Sequence, residues 1–226
     1  RYVNFQTQTT NVINVCTLDV RGISSLDESF MNFTAMEPLD GPNQYDTGRS
    51  YGLQDADMFS NFIELPQVLM LHLKRFDIDM ETQENSRIDT FFSFTKKLDL
   101  SRYLAPINNV SCSEYELFGV LVHAGTIHSG HYTAYLRPTP DSPWYYFNDS
   151  EVLTVTEDQA ISDNFGGPDP LQARKNKSHC AYMLIYVRID SISRIFSPVN
   201  DDEIPEVLKE FVINNDKQIK FKKQIK

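Results

Sequence analysis

A chain of 226 residues is long enough to bury a sizeable core as one domain with a small appendage, and 41% hydrophobic with 12% aromatic residues excludes general disorder. The net charge is −10; six lysines against Glu210 and Asp216 make residues 209–226 locally +4, so residues 1–208 carry −14, which argues against a nucleic-acid partner and suits a basic polypeptide or plain solubility. No apolar run is long enough for a bilayer, the first residues lack signal-peptide character, and Cys16, Cys112 and Cys180 are odd in number without paired spacing, so the expectation is a soluble, non-secreted chain in a reducing compartment, with no disulfide framework, no zinc and no membrane partner.

In chain order, Val12 to Val20 alternates as a strand, with Val12, Cys16, Leu18 and Val20 on one face, which makes Cys16 a small packed hydrophobe. Ser24 to Phe33 predicts a short helix capped by Ser25, with Glu28 at capping-box spacing. Glu37 to Tyr45 is a loop by its Pro and Gly content. Leu65 to Phe76 carries apolar residues on both alternating sets, as a strand covered on both faces does, with Pro66 at its first position. Asp77 to Asp89 is polar and turn-rich, a mobile loop. Thr156 to Asn164 predicts a helix with Thr156 and Gln159 at capping-box spacing, stopped by Phe165-Gly166-Gly167. After the basic, irregular Leu171 to His179, Ala181 to Ile189 is a buried strand. Asp202 as cap, Pro205 in the first turn and apolar Val207, Leu208, Phe211, Val212 and Ile219 then predict an amphipathic helix with a lysine-rich end.

The most informative stretch lies between these elements. Leu117 to His123, His131 to Arg137 and Trp144 to Asn148 are three apolar runs separated by a Gly-containing loop and by Pro138 to Pro143, which predicts an antiparallel meander. If Arg137 faces Trp144, opposed residue numbers sum to about 281, so His131 falls opposite residue 150 and beside Asn148 and Asp149. Strands ~4.8 Å apart put an imidazole within hydrogen-bond reach of that amide or carboxylate. A histidine held in this way at a strand mouth is what a nucleophile's general base looks like. Two plainer readings stand beside it: His123, His128 and His131 as satisfied rim residues, or as a metal site, which lacks a carboxylate or thiolate ligand at sensible spacing.

The string His123-Ala-Gly-Thr-Ile-His-Ser-Gly-His131-Tyr132, followed by Trp144-Tyr-Tyr-Phe-Asn-Asp149, closely resembles the histidine box of the ubiquitin-specific proteases. These are papain-like cysteine deubiquitinases that cleave the bond after ubiquitin's C-terminal glycine. Leu65-Pro-Gln-Val-Leu-Met-Leu-His-Leu-Lys-Arg-Phe76 and Ala181-Tyr-Met-Leu-Ile-Tyr186 are similar to two further signatures of that family. The Leu39-Asp-Gly-Pro-Asn-Gln-Tyr45, Gly52-Leu-Gln54 and Asn164-Phe-Gly-Gly167 strings look like its herpesvirus-associated branch in particular. Where many members place a Cys-x-x-Cys zinc half-site, this chain has Asp46 and Gly48, so no zinc and no other cofactor is expected.

The resemblance implies an α+β, papain-like cysteine protease fold, with an antiparallel palm sheet and part of the fingers over residues 1–189 and a helical extension over 190–226. It implies His131 as general base and Asn148 as the residue that orients it, its carbonyl accepting from the ring's Nδ1–H, with Asp149 available to supply a full charge. Glu37, Phe76, His123, Tyr132 and Tyr182 match positions lining the path of ubiquitin's tail, bordered by the loops 77–89 and 124–130. The family's Gly-Asn-x-Cys-type nucleophile box and its oxyanion donors have no counterpart, so thumb and cysteine box are missing and this chain alone is expected to be inactive. The alternative is a non-catalytic ubiquitin-binding module or inactive fragment. Implied partners are ubiquitin, ubiquitinated proteins and further domains of a parent protein, in the nucleus or cytoplasm of a eukaryotic cell.

Overall fold

The computed structural model describes residues 6–48, 51–78, 85–106, 112–172 and 175–224, with side chains up to residue 215. It divides into two compact units, Arg1–Ile192 and Ser193–Lys226. The predicted first strand is shorter than its alternation: β1 covers Cys16–Asp19 only. Cys16 and Leu18 face the core at 4% and 0% exposure, whereas Val12 is 92% exposed. The pairing of β1 with the neighbouring strand runs from Cys16↔Leu71 to Asp19↔Lys74, and the residues before Cys16 stay outside the ladder. Helix α1 (Leu26–Phe33) starts as its sequence predicts, with Ser25 Oγ accepting from the Glu28 amide. The Glu28 carboxylate, however, reaches past the cap and accepts from the amide and hydroxyl of Ser24, both at 2.9 Å. This satisfies a donor one position earlier than the capping box would.

The stretch expected as a loop, Glu37 to Tyr45, instead contains β2 (Glu37–Leu39) and reaches β3 (Tyr45–Asp46). They pair with β5 (Ala56–Met58) and β4 (Leu53–Gln54) respectively, as two ribbons. Pro38 is tolerated because a two-stranded ribbon has an outer edge where no amide is needed. The long apolar run from Leu65 is likewise divided. β6 (Val68–Lys74) buries Leu69, Leu71 and Leu73, while Met70, His72 and Lys74 are only half-buried, so it is fully covered on one face and not on both. The chain breaks pairing at Arg75 and continues as β7 (Phe76–Ile78), which forms a hairpin with β8 (Asn85–Arg87). The ends of the expected mobile loop are therefore strands, and its middle, 79–84, lies outside the described residues.

β9 (Lys97–Asp99) leads to the longest strand, β10 (Glu114–Gly125), and then to β11 (Gly130–Leu136), β12 (Trp144–Asn148), β13 (Glu151–Val155) and, after helix α2 (Glu157–Ala160), β14 (His179–Arg188). The main sheet runs β1-β6-β14-β10-β11-β12-β13, with β9 also on β10. Every pairing in it is antiparallel except β1 with β6. The core, including Phe30, Leu71, Phe92, Leu117 and Leu184, is a single apolar cluster spread over the central strands.

Arg75 occupies the break between β6 and β7 and is 1% exposed. It donates to the carbonyls of Ala181 (3.1 Å), Ile88 (3.2 Å), Thr90 (2.7 Å) and Phe165 (3.3 Å), with its guanidinium over the Phe92 ring. Four carbonyl dipoles replace the carboxylate that a buried cation ordinarily needs. The predicted helix over Thr156 to Asn164 keeps its capping box but shrinks to α2 and a 3-10 turn, because the buried Asn164 amide donates to the Gln159 and Ala160 carbonyls and tightens the end. Beyond α3 (Ile192–Ile195), Asn200 rather than Asp202 acts as cap, closing a 3-10 turn before Pro205. α4 (Glu206–Gln224) follows, with Val207, Leu208, Phe211 and Val212 exposed. Among the described residues no helix is long and apolar enough to cross a membrane.

Candidate active site

Turn length sets the register of the meander. Ala134 faces Phe147, Tyr135 faces Tyr146 and Leu136 faces Tyr145, the pairing for which opposed numbers sum to 281. His131, paired with Ala124 on its other side, thus arrives beside the end of β12, and its imidazole meets Asn148 with Nε2 2.5 Å from Oδ1. An amide oxygen only accepts, so Nε2 carries the proton. This corrects the expectation that Nδ1 makes the bond: the ring is turned so that Nε2 faces the Asn148 amide oxygen. Nδ1 is left as the acceptor. Asp149 stands in the two-residue turn between β12 and β13 with φ 51°, a left-handed conformation that Asp adopts more readily than most side chains.

Four of the five residues matched to the tail path form one continuous file of rings. Phe76 packs edge-on against His123 (5.2 Å between centroids), His123 lies 4.8 Å from Tyr132, and Tyr132 is 5.2 Å from Tyr182. His72 extends the file at the Tyr182 end at 6.5 Å. Glu37 is not part of it; it is exposed on the β2–β5 ribbon, opposite Met58. His123 is 4% exposed and its Nδ1 has no hydrogen-bond partner among the described residues. Burial, and secondarily the Arg87 guanidinium, hold its pKa below the usual histidine value. Gly130 has to be glycine here, since a Cβ at that position would run into the His123 ring. Beside the file, a cleft of about 390 Å³ is lined by Phe76, Asp77, Ile78, Asn85, Ile127 and His128. The three histidines do not gather as ligands, and no cluster of three or more metal-binding side chains occurs among the described residues.

No cysteine lies beside His131. Cys16 is on β1, across β6, β14 and β10 from β11, a distance of roughly 19 Å at ordinary strand spacing, and burial pushes its thiol up to about 11. Cys180 is 1% exposed, and its sulfur accepts from Arg87 Nη2 at 3.2 Å. Cys112 precedes β10, whereas His131 pairs with Ala124 at the opposite end of that strand, about 33 Å beyond its first residue Glu114 at the usual rise.

Sequence reasoning missed the two arginines, Arg75 and Arg87, that organise this end of the sheet. Arg75 sits inside a strand pattern and Arg87 in a polar stretch, and nothing local marks either as buried or multiply bonded.

Residues 3–186 match the family described as ubiquitin carboxyl-terminal hydrolase. The chain belongs to this family. It is 36% identical over 217 residues to ubiquitin carboxyl-terminal hydrolase 5 of Schizosaccharomyces pombe, covering 92% of this chain and 19% of that protein. With ubiquitin carboxyl-terminal hydrolase 7 of Drosophila melanogaster it shares 36% over 193 residues, covering 85% and 17%. Among solved structures it resembles the SAGA Ubp8/Sgf11/Sus1/Sgf73 DUB module bound to ubiquitin aldehyde, with a TM-score of 0.61 and 27% identity over 77% of this chain and 35% of that one. The chain therefore has the mixed α+β, sheet-dominated fold of ubiquitin-specific protease catalytic domains, the deubiquitinase family to which these relatives belong. It spans less than a fifth of the length of these two curated relatives.

Proposed function

We propose that this chain is the histidine-bearing part, palm and part of the fingers, of a thiol-dependent deubiquitinase closest to the herpesvirus-associated branch. Residues 1–189 form that part and 190–226 a helical extension. His131 is the general base, Asn148 orients it, and Asp149 lends negative charge at the same turn. The observation that carries this reading is the Nε2–H of His131 donated to Asn148 Oδ1 at 2.5 Å, next to the file of rings from Phe76 to Tyr182.

In the reaction, Nδ1 of His131 takes the proton of a cysteine thiol as the sulfur attacks the carbonyl carbon of ubiquitin's terminal glycine. The same proton passes to the leaving amine, and water then hydrolyses the thioester with His131 again as base. Asn148 keeps the ring's open nitrogen turned toward the thiol without adding a full charge to stabilise the imidazolium. The aromatic file admits a glycine-rich tail and rejects bulkier ones by collision, and Glu37 stands ready for a tail arginine. Ubiquitin and ubiquitinated proteins in the nucleus or cytoplasm are the partners, together with the other domains of the parent protein. The nucleophile comes from a segment beyond these residues, since each of the three cysteines is buried or remote from His131.

Hydrolysis of a ubiquitin C-terminal fluorogenic amide tests this. The 226-residue chain alone should give no turnover. The chain joined to a cysteine-box segment of a relative should turn over, and His131→Ala should abolish it. Turnover by the chain alone that vanishes with Cys112→Ser, or a joined enzyme indifferent to His131→Ala, would overturn the proposal.

A further inference from the structure

One side chain ties the two loops flanking the ring file together, and it belongs to neither the ring file nor the base. Arg87 lies on β8, opposite Phe76 in the β7–β8 hairpin. Its Nη1 donates to the carbonyls of Gly125 (2.5 Å) and Ser178 (2.9 Å); its Nη2 donates to the carbonyl of His123 (3.1 Å) and to Cys180 Sγ (3.2 Å). His123 and Gly125 sit on either side of Ala124, the residue paired with His131, and Gly125 pairs with Gly130, which precedes His131. The Gly125 amide in turn donates to Ser178. The guanidinium fork thus grips the β10–β11 hairpin at its base, against the start of β14. The grip ends one residue from the backbone that carries His131.

We propose that Arg87 is a positioning residue: its fork fixes the base of the 125–130 hairpin and through it the place of the His131 imidazole against Asn148. This rests on the reading of His131 as general base. The planar fork matters as much as the charge. Two nitrogens at fixed separation bind two carbonyls on β10 and one on the β14 side together, whereas a lysine ammonium is a single point that reaches one or two of them. Gly125 has φ 123°, a conformation that costs glycine little, and the loop beyond it is closed by the Thr126 amide donating to the Ser129 carbonyl, so its internal bonds fix the loop but not its place against β14. The Arg87 fork adds side-chain bonds that join the hairpin base to the start of β14.

The test compares the 226-residue chain with R87K and R87M by amide hydrogen exchange and by the long-range ¹⁵N signals of the histidine rings. R87M should speed exchange at the Gly125 and Thr126 amides by about tenfold or more, leaving Leu71 and Leu184 at the sheet centre unchanged, and R87K should fall between. The Nε2–H signature of His131 bonded to Asn148 should weaken in the same order. Unchanged exchange at Gly125 and Thr126, a rise equal to that at Leu71 and Leu184, or a loosened hairpin with an unaltered His131 signature would each overturn the proposal. R87K retains the charge, so a collapse of R87M alone does not block the comparison; uniform loosening in R87K counts against it. No substrate is involved, so these readouts fail or succeed independently of the turnover experiment with the joined enzyme.

Discussion

Arg75 and His131 are two basic side chains at strand ends of the same sheet, and their surroundings are opposite. Arg75 is 1% exposed with its donors shared among four backbone carbonyls. His131 is exposed, with one nitrogen engaged by Asn148 and the other open. A group whose donors are occupied on every side by backbone is immobilised and serves the fold. A group fixed on one side and open on the other has a defined direction and an exchangeable proton, which is what acid–base chemistry requires. Fold and function are thus divided between two nitrogen-bearing side chains of one sheet by how many of their polar atoms the protein satisfies.

The contrast is broken most forcibly at Arg75. Arg75→Met should destabilise the chain by about 3–5 kcal/mol, because four carbonyls lose their donor in a dry environment, and urea denaturation reads this directly. A loss below about 1 kcal/mol would mean that water reaches the site and that the four carbonyls do not depend on Arg75.

A smaller effect separates His123, which belongs to the buried side of the comparison although it lies in the ring file. Its folded pKa is below the unfolded value of about 6.5, by burial and by Arg87, so the unfolded chain binds the proton first as pH falls. Stability from this group is complete above about pH 6.5 and is lost as pH drops toward the folded pKa. His179 titrates in the same direction, through burial and Lys177. Urea midpoints measured from pH 7 down to 5 should fall, and His123→Phe should flatten that slope; an unchanged slope would remove His123 from the buried class.

The smallest effect on stability belongs to the exposed pair. His131→Ala and Asn148→Ala should each leave the unfolding free energy within about 0.5 kcal/mol of the parent chain, even though the joined enzyme loses turnover with either. A large destabilisation from either variant would place this pair with Arg75 as structural and sink the distinction.

What could be known from the residues alone about this protein was local. The register of the β11–β12 hairpin, the Ser25 and Thr156 caps, the glycines after Phe165 and the meeting of His131 with Asn148 all follow from alternation, turn length and capping chemistry within about 20 residues of one another. The atom making that meeting did not: strand spacing predicts a contact, and the ring's orientation chooses Nε2. The ribbons at Glu37 to Met58 were decided by which segments came together to pair. The two arginines were decided most completely by the tertiary structure. Arg75 finds its acceptors between Ile88 and Ala181, and Arg87 finds its own between His123 and Cys180. Partners so distant along the chain leave no period or motif near the arginine, because a buried cation's position is set by carbonyls that only folding brings within 3 Å or so of it.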